Sequence, residues 1–273
     1  PSVLLRCINR LSRTLGDLES VSRPVSLQEG PPLASPMFQH TLRTPALFAG
    51  VGVHTGAYTR VNVRPAATGA GIVFVRSDVR DRDNVIPVSG EAVCKTQLGT
   101  VIENAAGVTV STIEHLMAAF AMLGVDNAVV EVDGPEMPIM DGSSAPFVRI
   151  LDRAGLRPQE AARSYIEILD TVEVVDGDKR ATLSPADGFE VAFTIEFPTA
   201  AIGRQSIDLA MDEQAFRTEL ADCRTFGFLS DVEALRAMGL ARGGSMENCV
   251  VIDADRVLNP EGLRRPDEFV RHK

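Results

Sequence analysis

A glutamate and a histidine stand side by side as Glu114-His115, and a second histidine lies beside a lysine as His272-Lys273. A neutral imidazole is a metal ligand or a proton carrier near physiological pH. A carboxylate one residue away can act as a general base. Those residue types in those places point to a proton-transfer or metal-assisted centre. Each pair also has a plain structural account. Ser111 and Glu114 have the spacing of a capping box, and Arg271, His272 and Lys273 suit the C-terminal end of a helix dipole. On the residues alone both accounts stay open.

The elements that must hold these pairs are legible around them. Ile113, Leu116, Met117, Phe120 and Leu123 recur at three- and four-residue spacings, which predicts a helix over 112–123 capped by Ser111 and stopped by Gly124. A strand at 127–132 then runs into the loop DGPEMPIMDGSS, which carries three acids and two glycine turns. Asp141 is expected to fix a turn there and Met137 and Met140 to pack. A helix over 145–154, capped by Ser144 and ended by Gly155, follows. Upstream, β-branched clusters at 39–48, 57–64, 71–76, 84–88, 93–102 and 108–110 read as antiparallel strands. Between the first two lies GVGVHTG, whose glycines suit either a small anion nest or a tight turn that exposes His54.

The second half repeats this order. Strands are expected at 165–170, 171–175, 179–183 and 189–197, helices at 212–221 and at 231–238 with Ser230 as its cap, a strand at 249–253, and a last helix from Asp267. Repetition of strands, helix, strand, helix predicts an α+β fold of two similar layered domains, each an antiparallel or mixed sheet packed against helices. The expected division is a flexible N-terminal extension over 1–37 with a short amphipathic stretch, a first domain over 38–156, a linker over 157–164 and a second domain over 165–273. The last helix is too short to repay its own nucleation, so the sequence is expected to be cut inside an element, with the C-terminal part missing.

Composition narrows the function. A length of 273 residues accommodates two modest cores. A formal net charge of -10, two tyrosines and no tryptophan leave neither a basic footprint nor stacking platforms, so nucleic acid is not an expected partner. The four cysteines are scattered without a C-x-x-C and read as buried, inert, small hydrophobes. Arg264 and Arg265 read as a solvated face. No apolar run reaches the roughly 18 residues of a membrane-spanning helix.

The segments GVGVHTG, STIEHL, DNAVVEVDGPEMPIMDGSSAPFV, CRTFGFL, GLARGGSMENCVVID and LNPEGLRRPDEFVRHK, in that order, resemble the zinc-dependent UDP-3-O-acyl-N-acetylglucosamine deacetylases of lipid A biosynthesis. The resemblance covers about Gln39 to Lys273. It implies that His115 and His272 are zinc ligands, Glu114 the general base, Lys273 an oxyanion-stabilising cation, and Thr225 a hydroxyl that polarises the substrate carbonyl. Asp231 matches a further site acid. His54 matches a substrate-contacting histidine, Phe226 and Phe228 match pocket residues, and Ile202 falls in the 193–210 insert that builds an acyl passage. The family takes its third zinc ligand from an aspartate one helical turn after the second histidine, and its leaving-group acid from a later histidine, both past Lys273. The implied substrate is a UDP-sugar bearing an acyl chain, and the implied cofactor is Zn2+. The implied setting is the cytoplasm of a Gram-negative bacterium, with a monomeric chain that can touch a membrane peripherally. The alternative is a truncated form that binds substrate or a partner without turnover.

Overall fold

The computed structural model describes residues 38–273, so the amphipathic stretch expected in the N-terminal extension lies outside the described residues. Period-two burial builds the first sheet. It runs in the order Ala46–Val51, Tyr58–Pro65, Ala128–Val132, Ile72–Arg76, Val85–Pro87. Neighbours are antiparallel except Ile72–Arg76 against Ala128–Val132, which are parallel. Val61, Val63, Phe74, Ile86, Val130 and Val132 point to one face and are buried, whereas Arg60 and Arg64 face out. Against the apolar face lie the helices Glu114–Leu123 and Ala145–Ala154, whose Leu116, Phe120, Phe147 and Leu151 complete the first core.

A small sheet of Val93–Lys95, Val101–Glu103 and Thr109–Ser111 leads into the first helix. The expected 93–102 strand is therefore two strands. Ser111 pairs with Val101 in this ladder and is not the helix cap. The helix begins at Glu114, with Ile113 in the cap position and no side-chain capping bond, because sheet pairing has claimed the residue that local propensity favoured. Ser144 likewise makes no cap bond and donates to the carbonyl of His115 instead (3.0 Å). Among the cysteines, Cys223 is buried, Cys249 half-buried and Cys94 exposed, so Cys94 departs from the buried reading. Burial pushes the thiols of Cys223 and Cys249 up to about 12 and about 11, which keeps them inert.

The stretch expected as a linker at 157–164 is largely a strand, Leu156–Ala162, paired antiparallel with Phe38–Leu42. Pro158 is accommodated because this two-stranded ribbon has a free edge. The expected strand at 165–170 is absent. Ile166 and Leu169 are strongly exposed.

Two hairpins follow, Val172–Asp176 with Lys179–Leu183 and Glu190–Glu196 with Arg204–Ala210. Residues 212–221 are only partly α-helical. Asp212 caps Glu213–Ala215, and Phe216–Leu220 continues as a π-helix. The helix expected at 231–238 spans Leu229–Ala237, so Ser230 is inside it and its hydroxyl donates to Asp231. A strand not foreseen, Phe226–Phe228, lies parallel to Val250–Asp253, which in turn pairs with Arg256–Val257. Ile195, Ile202, Val250, Ile252, Phe269 and Val270 form a second core here, under the last helix, Glu268–His272. Sheets thus pack against helices around two cores, an α+β architecture. Among the described residues no helix is long and apolar enough to cross a membrane.

The two halves meet where glycines allow close approach. Gly142 has φ +86°, and an added Cβ would collide with the carbonyl of Asn248. Its own carbonyl accepts from the Thr225 N–H (2.7 Å). Gly142→Ala should therefore lower stability by about 2 kcal/mol or more, since both the positive φ and the collision oppose it. A chemical-denaturation midpoint unchanged from wild type would contradict this packing.

Candidate active site

The Glu114–Leu123 helix presents Glu114 and His115 at its first turn, and the Glu268–His272 helix presents His272 at its last. The two imidazoles meet edge to face, with ring centroids 5.2 Å apart and planes at 86°. Nδ1 of His272 lies 3.1 Å from the carbonyl oxygen of Cys223. A carbonyl can only accept, so Nδ1 carries the proton and Nε2 keeps its lone pair. Nδ1 of His115 is buried with no hydrogen-bond partner. Burial lowers the pKa of His115 to about 4, against the opposing charge of Asp141, and lowers that of His272 to about 3, assisted by His115. Both rings are therefore neutral at pH 7. Two converging neutral imidazoles, one tautomer fixed and one ring nitrogen orphaned, suit a borderline-soft cation such as zinc. Among the described residues no group of three or more His, Cys, Asp and Glu is placed to hold a metal, so the fit extends to two donors.

Glu114 does not close a capping box. Its Oε2 accepts from the Thr100 N–H at 2.9 Å, so the carboxylate leans toward the 98–100 loop. Burial raises its pKa, and the Thr100 hydrogen bond opposes that rise. Lys273 places its Nζ 5.4 Å from the centre of the Phe226 ring. Desolvation lowers its pKa, and the charge of Glu114 works the other way. Phe226 also meets Phe269 at 4.9 Å and Phe197 at 5.7 Å, and Phe197 lies 6.0 Å from Phe228. An aromatic wall thus runs from the Glu190–Ala210 hairpin region to Lys273.

The remaining expected residues divide. His54 is brought close, its Nε2 3.3 Å from the carbonyl of Leu98. Thr225 is tied by backbone to Gly142 and to Val250, which sets it beside the DGSS turn. Asp141 does fix that turn, accepting from the N–H and hydroxyl of Ser143. Ile202 is packed into the second core, at 5% exposure. Asp231 is exposed on the Leu229–Ala237 helix, where its carboxylate accepts from the Ser230 hydroxyl. Arg264 is exposed, as a solvated face requires, and Arg265 is half-buried, but both are engaged. Arg264 reaches Asp141 and the Asp222 carbonyl, and Arg265 reaches Asp222 and the Thr218 carbonyl.

Two buried acids escaped the sequence reading. Glu136 is fully buried, and it accepts from the N–H groups of His54 and Thr55 and from the hydroxyls of Thr55 and Thr112. Of the two forms open to GVGVHTG, the tight turn is made through Gly52 N–H to Ala57 O and Gly56 N–H to Gly52 O, and the N–H groups of His54 and Thr55 within it form a nest filled by this internal carboxylate. Glu268, also fully buried, accepts from the N–H and Nε of Arg224 and from the N–H of Arg264. Arg224, 2% exposed, was the available signal: an arginine inside an apolar motif requires a carboxylate partner.

A family model described as LpxC: UDP-3-O-acyl N-acetylglycosamine deacetylase matches residues 39–273. A UDP-3-O-acyl-N-acetylglucosamine deacetylase of Phenylobacterium zucineum (strain HLK1) is 80% identical over 237 residues, covering 87% of this chain and 81% of that protein. One of Myxococcus xanthus (strain DK1622) is 52% identical over 235 residues, covering 86% and 74%. One of Shewanella denitrificans (strain OS217 / ATCC BAA-1090 / DSM 15013) is 49% identical over 239 residues, covering 87% and 78%.

Proposed function

This chain belongs to the UDP-3-O-acyl-N-acetylglucosamine deacetylase family, and we propose that it hydrolyses the N-acetyl amide of a UDP-3-O-acyl-N-acetylglucosamine to the free amine and acetate. The observation that carries this reading is the edge-to-face pair His115–His272, with Glu114 and Lys273 as their immediate neighbours. When bound, zinc would lower the pKa of a water toward ~7 and polarise the amide carbonyl. His115 and His272 would hold it through the nitrogens not engaged by the protein. Glu114 takes a proton from the attacking water onto its carboxylate. Lys273, with the hydroxyl of Thr225, faces the oxygen on which negative charge grows. His54 contacts the sugar-nucleotide side of the substrate. The aromatic surface of Phe197, Phe226 and Phe228 takes the acyl chain, and the hairpin region holding Ile202 supports that wall from behind. Asp231, the further acid of the scheme, is carried at the first turn of the Leu229–Ala237 helix.

The same pair of converging histidines also serves a second reading, in which the chain binds the acylated UDP-sugar or a partner without turnover. One experiment separates the two. The protein is stripped with a chelator, reloaded with zinc, and assayed for amine release from the acylated UDP-sugar, with bound zinc measured alongside. Hydrolysis that vanishes on stripping and returns with one zinc per chain is expected. Substrate binding without amine release at full zinc loading would replace the first reading by the second.

A further inference from the structure

The Glu136 carboxylate lies at the centre of the turn that carries His54. Its Oε1 accepts from the His54 N–H (2.8 Å) and the Thr112 hydroxyl (3.1 Å), and its Oε2 from the Thr55 N–H (2.7 Å) and the Thr55 hydroxyl (2.6 Å). The chain closes round it through Gly52 N–H to Ala57 O and Gly56 N–H to Gly52 O. Gly52 is required, because a Cβ there would collide with the carboxylate. A fully buried carboxylate is tolerable only with such a complete set of donors. Here all four are neutral donors, which fixes geometry without adding a counter-charge.

The same carboxylate reaches the other side of the site. Thr112 is buried with φ +59°, two residues before Glu114. Around it, Ser111 N–H donates to Pro135 O and Met137 N–H to Ser111 O. His54 and Glu114 are joined a second time by the 98–100 loop, since His54 Nε2 meets the Leu98 carbonyl and the Thr100 N–H donates to Glu114. The imidazole of His54 is thus held at its own peptide by Glu136 and at its ring by Leu98.

We infer that Glu136 is a positioning residue that sets affinity for the nucleotide-sugar substrate by fixing His54 relative to Glu114. The inference rests on the deacetylase reading for its kinetic consequence, though not for its structural one. Glu136→Gln keeps the shape but puts an amide N–H2 against two donors. His54→Ala removes the group that Glu136 is held to position.

Steady-state kinetics of the zinc-loaded protein on the acylated UDP-sugar test it through a double-mutant cycle. Each single variant should raise KM about 10-fold with kcat within about 3-fold, and the double variant should be no worse than the weaker-binding single within about 2-fold. Multiplying effects in the double variant, or a fall in kcat without a rise in KM, would overturn the inference. If Glu136→Gln does not fold, Thr55→Val removes one of the four donors. It should show a smaller KM rise that disappears in the His54→Ala background and is rescued by Thr55→Ser. A wild-type protein without amine release would sink the deacetylase reading, and amide exchange with the His54 ring resonances then decides the inference alone. In whichever variant folds, faster exchange at His54 and Thr55 with shifted His54 ring signals, and Val61 and Val130 unchanged, supports it. Unmoved His54 signals overturn it.

Discussion

Glu114→Gln is expected to lower kcat by about 10²- to 10⁴-fold, the range for losing a general base, while leaving the fold intact. Glutamine matches the shape of the native side chain, and its carbonyl can still accept from the Thr100 N–H that now holds the carboxylate. What it cannot do is take a proton from water. The substitution therefore separates a catalytic glutamate from one that serves only as a backbone acceptor at a helix start. Amine-release kinetics decide the first role and a thermal melt the second. A variant retaining kcat within about 10-fold would leave Glu114 with a local structural role alone and would remove the base from the proposed reaction.

Glu268→Ala should destabilise the protein by about 3–5 kcal/mol, because it strands a buried cation. Arg224 is 2% exposed and Glu268 fully buried. Oε1 of Glu268 accepts from both the N–H and Nε of Arg224, at 2.8 and 3.0 Å, and Oε2 accepts from the Arg264 N–H at 2.7 Å. The other Arg224 nitrogens reach Glu261 and the Gly262 carbonyl. Removing the acid leaves a guanidinium without its deepest partner and frees the start of the Glu268–His272 helix. His272 sits at the other end of that helix, so its ring should lose its place beside His115 together with the stability. A urea titration measures the first effect. Loss of the second shows as a fall in zinc bound per chain at fixed free zinc. A midpoint shift worth under about 1 kcal/mol would mean that water or Glu261 replaces the lost carboxylate.

Legibility in the sequence followed the range of the forces involved. The Ala145–Ala154 helix and the Lys179–Leu183 strand lie where residue spacing and turn residues place them, because those signals act over a few residues. Ser111 shows the limit. It has every local feature of a cap, yet it is paired with Val101 in a ladder, and a cap worth about 1 kcal/mol yields to a sheet that also buries Val110 and Ile102. Residues 165–170 fail in the opposite way, with strand-like composition but no strand formed. The Leu156–Ala162 strand was missed because its partner is the distant Phe38–Leu42, and nothing in LRPQEAA announces pairing across that interval.

By itself the sequence determined which groups are available and their order: a Glu-His pair at a helix start, a His-Lys pair at a helix end, a glycine turn around His54, and six motifs sufficient to suggest the family. Those are properties of neighbours along the chain. Only the tertiary structure decided that His115 and His272 meet edge to face, that Glu136 fills the nest beneath His54, that Arg224 and Glu268 hold the last helix, and that Ile202 packs into the second core beside that helix. Each of those outcomes depends on which side chains lose water together when the two cores form. That exchange of solvent for distant partners leaves no mark in local spacing.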